Sequence, residues 1–245
     1  MNEIQSSRFK DASWFPKQEE YVIIGGAGGI GSWLSMMLAR AGFQPIVYDF
    51  DTIEEHNMGG QLYDQHSIGL KKVQALKNII KNFCNTDIVH MDEKYDSKTM
   101  SHHYVFSAFD NMQARKDMFE AWCEHVNQWL IDVKKVKLDS EKTFDENYIS
   151  SVPIFIDGRL AAEQMQIFCV TPDKIDEYRK HLFDDSEVED APCTLKQTSH
   201  SAAMIASHMV GFFTNHYANN ITKEKDRNIP FCWEYFIPIN YINEE

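Results

Sequence analysis

The chain has 245 residues, 43% of them hydrophobic and 25% charged, a globular balance with ample apolar material for a core. Its 24 basic against 37 acidic residues leave a formal net charge of −13, which argues against a general nucleic-acid or anionic-membrane binder, because phosphate neutralisation requires basic patches. No apolar stretch approaches the ~20 residues of a membrane span, and no basic start followed by an apolar run marks a signal peptide, so a cytoplasmic location is expected.

Residues 1–20 are polar with aromatic punctuation at Phe9, Trp14 and Phe15, and read as an arm. Residues 21–245 carry no repeat, low-complexity tract or Pro/Ser linker and read as one domain. "YVII" (Tyr21–Ile24) is a strand, "GGAGGIGSW" opens a helix over Gly31–Ala41, and Pro45–Asp49 is the next strand. This strand–helix–strand unit favours a parallel sheet. After a long polar connection, "KKVQALKNIIKNF" sets Val73, Leu76, Ile79, Ile80 and Phe83 on one helical face. "DIVHM" and "YVFSAFD" are further strands, the second ending at Asp110. The helix "NMQARKDMFEAWCEHVNQW" follows, with Met118, Phe119, Trp122, Val126 and Trp129 as its core stripe.

Residues 133–150 are charge-rich and non-periodic, a loop or insertion. "PIFIDGR" and "EQMQIFCV" read as strands, followed by a helix near "DKIDEYRKHLF" and an acidic loop, "DDSEVEDAP", that delivers Cys193. "SHSAAMIASHMVGFFTNHY" is an apolar helix, and "FCWEYFIPI" closes the chain as an edge strand. Cys84, Cys123, Cys169, Cys193 and Cys232 are odd in number and contain no C-x-x-C pair, against both a disulfide framework and a zinc site. The histidines form no ligand spacing and read as solvated or packed.

Gly26, Gly28 and Gly31 fit G-x-G-x-x-G between a strand and a helix, the loop that admits a pyrophosphate to backbone N–H groups. Asp49 ends the second strand about 20 residues on, where a carboxylate hydrogen-bonds a ribose hydroxyl. To this point NAD and ATP are equal contenders.

The motifs that follow separate them. Gly26, Gly28, Gly29, Gly31 and Ser32, then Asp49 and Asp51, Asn57 and Gln61, Gly69 and Lys72, and Asp110, Asn111 and Arg115 resemble, in order and spacing, the ThiF/MoeB adenylyltransferase superfamily that includes ubiquitin-activating enzymes. The resemblance covers residues 20 to about 216. It implies a Rossmann-like, doubly wound α/β fold: a mostly parallel sheet with helices on both faces and an antiparallel C-terminal portion. It further implies ATP in the glycine loop, Lys72 on a phosphate oxygen, Asp110 on Mg²⁺, and the remaining motif residues around the nucleotide. The expected reaction is activation of the C-terminal carboxylate of a small protein or peptide as an acyl-adenylate by a homodimer. Cys193 is the candidate nucleophile for a thioester, and Arg8 the candidate basic residue sent into the partner subunit's site.

One departure stands out: where the family carries arginine before Gln61, this chain has Gly60. That favours, as an alternative, a nucleotide-binding module without turnover. An NAD(P)-dependent oxidoreductase is a third reading, in which Lys72 and Asp110 lack roles.

Overall fold

Alternation along the first strand decides the layers. In β1 (Tyr21–Gly25), Val22 and Ile24 enter one core while Ile23 enters the other, and all three are buried. A strand apolar on both faces belongs in the middle of a covered parallel sheet, and β1 lies there. It pairs in parallel with β2 (Gln44–Tyr48) on one side and β4 (Tyr104–Ser107) on the other. Beyond β2 lies β3 (Val89–Met91), and beyond β4 lie β5 (Ile154–Ala161), β6 (Gln164–Val170), β7 (Cys232–Phe236) and β8 (Tyr241–Glu244). β5 is parallel to β4, whereas β6, β7 and β8 each run antiparallel to the preceding strand. The expected doubly wound sheet with an antiparallel C-terminal portion is therefore present. This computed structural model describes residues 9–138, 146–184 and 198–245, so Arg8 and Cys193 lie outside the described residues.

Helices cover both faces. Helices α1 (Gly29–Arg40), α2 (Lys72–Cys84) and α6 (Ser199–Thr222) close one core, with α1 packed against α6. On the other face lie α3 (Met112–Leu138) and α5 (Ile175–Arg179); the short α4 (Glu146–Ser150) precedes β5. In α3, Met118, Phe119, Trp122, Val126 and Trp129 are buried as their spacing predicts. The four described cysteines are buried and unbridged. Among the described residues, no helix is long and apolar enough to cross a membrane.

Several sequence expectations need correction. Phe83 is 60% exposed although its spacing puts it on the apolar side of α2; it sits in the last turn, where Cys84 is the residue buried in the core. Helix α3 continues into the stretch read as a loop, because the lysines and the leucine at 134–138 are good helix formers and need no apolar stripe to continue it. Strand β4 stops at Ser107, leaving residues 108–110 as a loop. β7 is not the edge: the chain turns at Asn240, whose φ is 49°, and β8 takes that place.

Neutral histidines cross-link the end of the sheet remote from the glycine loop. His103 donates from Nε2 to the Tyr148 carbonyl at 3.0 Å, which leaves its Nδ1 to accept from His125 Nε2 at 2.8 Å. Burial pushes His103 down to about 3, with the His125 ring adding to the effect. Burial likewise pushes His125 and His216 down to about 4. Near pH 5 the unfolded chain binds protons that these folded rings refuse, so stability falls as pH drops below about 6.5, by up to about 1.4 kcal/mol per pH unit per histidine. The urea midpoint should therefore fall between pH 7 and pH 5, and His103→Gln combined with His125→Gln should flatten that slope.

Candidate active site

Strand order reverses around β1, and ligands of open α/β sheets bind at the strand C-termini beside such a reversal. A cavity of about 900 Å³ occupies that position. Its wall includes Gly26, Gly28, Gly29, Asp49, Asp51, Gln61, Lys72, Asp110, Asn111 and Arg115, so ten of the sequence-predicted residues face one space. Gly31 and Asn57 are not on that wall.

The glycine loop owes its shape to close backbone approach. Gly26 has φ +89°, a left-handed conformation, and donates its N–H to the Tyr48 carbonyl at 2.9 Å. A Cβ on Gly31 would stand 1.8 Å from the Gly26 carbonyl oxygen, so Gly31 lets α1 begin directly beneath the loop. A Cβ on Gly28 would meet nothing within 4 Å and would project into open space. No acidic residue occupies the first turn of α1, which leaves its N-terminus suited to an anion. Gly31→Ala must displace the loop or the helix, and should lower the melting temperature and abolish stabilisation by nucleotide in a thermal-shift measurement; an unchanged response would contradict this role.

Asp49 connects the end of β2 to the loop. Its Oδ2 accepts from Ala27 N–H at 2.7 Å and its Oδ1 from Asp51 N–H at 2.8 Å. Burial raises its pKa above the usual carboxylate value, while Lys72 and these two N–H groups oppose the rise. Lys72 is not the solvated lysine its neighbour Lys71 resembles. Its side chain is 9% exposed, and Nζ donates to Asp51 Oδ2 at 2.6 Å, which among the described residues leaves two of its three donors for a ligand.

Between these elements the chain crosses α1. Asn57 forms a capping box with Glu54, accepting the Glu54 N–H at 2.8 Å, and so steadies the 3-10 turn Glu55–Gly59. The Gly60 carbonyl beyond it accepts from Trp33 Nε1 at 3.1 Å. Gln61 follows, with its Oε1 buried and without a hydrogen-bond partner among the described residues. A buried unpaired acceptor on a cavity wall fits a site that takes a polar ligand.

Asp110 is exposed on the loop after β4, at the start of α3. Asn111 caps that helix, accepting Ala114 N–H at 2.8 Å, and its Nδ2 lies 3.3 Å from Asp110 Oδ1. No group of three or more metal-ligating side chains occurs among the described residues. Magnesium needs no such cage, since it keeps several waters and binds one or two carboxylates plus substrate phosphates. Asp110 beside the glycine cradle fits that donor set.

Arg115 acts inward as well as on the cavity. It pairs with Asp157, donates to the Gly158 carbonyl at 3.0 Å and holds the Phe109 carbonyl, which fixes the loop carrying Asp110 onto β5. Asp157 also accepts from Arg159 Nε at 2.7 Å and from the Tyr178 hydroxyl at 2.9 Å. Burial alone would raise the Asp157 pKa, but Arg115 and then Arg159 hold it below the usual carboxylate range. Sequence reasoning missed Asp157, Arg159 and Tyr178. The available signal was "FIDGR", where alternation puts Asp157 and Arg159 on one face of β5.

Comparison with known proteins places this geometry. The mouse ubiquitin-like modifier-activating enzyme 5 is 27% identical over 177 residues, covering 64% of this chain and 41% of that protein. The SUMO-activating enzyme subunit uba-2 of Caenorhabditis elegans is 32% identical over 133 residues, covering 49% of this chain and 23% of that one. The chain thus spans less than half the length of these curated relatives. In fold it is similar to E. coli MccB with ATP, with a TM-score of 0.61 and 14% identity over 92% of this chain and 63% of that one. E. coli tRNA N6-threonylcarbamoyladenosine dehydratase, TcdA, gives a TM-score of 0.60 and 12% identity over 90% of this chain and 95% of that one. The ThiF family profile matches residues 17–235, so the chain belongs to the ThiF family.

Proposed function

We propose that the protein is an ATP-dependent adenylyltransferase that activates the C-terminal carboxylate of a small protein or peptide. The observation that carries this reading is the convergence of the glycine loop, Asp49, Lys72 and Asp110 on one cavity. In the proposed reaction a carboxylate oxygen bonds to the α-phosphorus of ATP as the bond to the β-phosphate's bridging oxygen breaks, releasing pyrophosphate and an acyl-adenylate. Such a step asks the protein for positioning and charge neutralisation rather than covalent chemistry. Asp49 would accept from the ribose, and the loop N–H groups and Lys72 would bind phosphate oxygens. Magnesium, held by Asp110 and the phosphates, would offset charge on the departing pyrophosphate. In this reading Arg115 keeps the Asp110 loop in place.

The relatives include a yeast tRNA threonylcarbamoyladenosine dehydratase 1, 29% identical over 119 residues, covering 42% of this chain and 27% of that protein. A net charge of −13 does not favour a tRNA acceptor here. The homodimer with Arg8 reaching the partner's site, and Cys193 as an acyl carrier, remain parts of the proposal. Incubation with ATP, Mg²⁺ and a mixed library of short peptides with free carboxyl termini tests it. Pyrophosphate release and mass-shifted adenylates are expected with that library and not with the same peptides amidated. ATP binding with no pyrophosphate from either library would instead favour a module without turnover.

A further inference from the structure

The cavity continues past the nucleotide-facing residues to the ends of β5 and β6, where Arg159, Gln164, Gln166 and Phe183 line it. There the completely buried Asp157 pairs with both Arg115 and Arg159. One carboxylate offsets one guanidinium, so the cluster keeps one positive charge in excess. Of the acidic wall residues, Asp49 and Asp51 lie toward the β2 end beside Lys72, Glu93 follows β3, and the exposed Asp110 stands on the loop that Arg115 holds.

Of the two arginines, Arg159 is the more exposed, at 15% against 8%. Its Nε is held by Asp157 at 2.7 Å, Nη1 by the His181 carbonyl at 3.0 Å and Nη2 by the Tyr178 hydroxyl at 3.3 Å. These contacts use three of five N–H donors and fix the plane of the group. The Phe168 and Phe183 rings lie 4.7 Å and 5.8 Å from its Cζ, so apolar surface replaces water beside the charge. A fixed, partly desolvated guanidinium with two donors unused among the described residues is suited to a planar carboxylate.

We infer that Arg159 anchors the acceptor's C-terminal carboxylate, making it a specificity residue at the end of the cavity away from Asp49. The inference rests on the adenylation reading for the identity of the anion. It explains how an acidic protein could prefer a free carboxyl terminus to an amidated one.

Calorimetric titration with N-acetyl-diglycine and N-acetyl-diglycinamide, each with and without a non-hydrolysable ATP analogue and Mg²⁺, tests it. The acid should bind about tenfold or more tighter than the amide, as expected for a charge-assisted hydrogen bond. Arg159→Gln should bring that ratio close to one while stabilisation by the ATP analogue persists. Arg159→Lys, which keeps the charge, should retain part of the preference. Arg159→Gln leaves Arg115 and Asp157 as a balanced pair; should it nevertheless not fold, the wild-type Arg159 side-chain N–H signal should shift in NMR spectra with the acid and not with the amide. An unchanged ratio in Arg159→Gln would overturn the inference. So would lost nucleotide stabilisation with the ratio intact, since the bound anion would then be phosphate. A carboxylate preference without any response to ATP would count against adenylation and leave the Arg159 anchor standing.

Discussion

Asp157→Ala should cost about 3–5 kcal/mol in urea unfolding, a large fraction of the stability of a typical domain. Asp157 is fully buried, and its removal leaves the guanidinium groups of Arg115 and Arg159 facing each other without a counter-charge. Tyr178→Phe removes a hydroxyl that donates to the same carboxylate and accepts from Arg159 Nη2, leaves the charges balanced, and should cost less, about 1.5–3 kcal/mol. Equal losses from the two substitutions would mean that charge compensation is not what the carboxylate supplies. The substitution should also loosen the loop holding Asp110, because Arg115 fixes the Phe109 carbonyl from its seat on Asp157. Reduced protection from hydrogen exchange at residues 108–111 would report that link.

Asp110→Ala should lower acceptor-dependent pyrophosphate release by about a hundredfold or more, the scale on which one preorganised electrostatic group acts. Its fold should stay close to wild type, because Asp110 is exposed and the cap of α3 is Asn111. Asn111→Ala should show the reverse balance, with roughly 1 kcal/mol lost from the helix cap and a smaller effect on rate. If Asp110→Ala retained full activity, the acidic group serving magnesium in this account would be another.

The sequence made part of this site legible because its chemistry is local. Gly26 and Gly31 are read from spacing alone, since the left-handed turn and the close approach of α1 follow from adjacent residues. Lys72 shows the limit of that reading. Two consecutive lysines look alike in the sequence and both form ion pairs, Lys72 with Asp51 and Lys71 with Asp92, but only the fold puts Lys72 on the cavity wall at 9% exposure and leaves Lys71 at 45%. Asp157, Arg159 and Tyr178 were missed for the same reason: their partners lie up to 42 positions apart, and a D-x-R pair on a strand has many innocent explanations. The motif spacing also does not announce that the Asn57 amide oxygen closes a capping box with Glu54. β8 escaped because four residues after a turn carry too little alternation to mark a strand.

In the proposed function the glycine loop receives ATP rather than a nicotinamide dinucleotide, with Asp49 on its ribose and Lys72 on its phosphates. The most direct measurement is the shift in melting temperature with ATP and Mg²⁺ and with NAD⁺, in wild type and in Asp49→Ala and Lys72→Ala. Stabilisation by ATP is expected, with none by NAD⁺ at the same concentration and about a tenfold or greater loss of ATP affinity in each variant. Stabilisation by NAD⁺ with no response to ATP would contradict it.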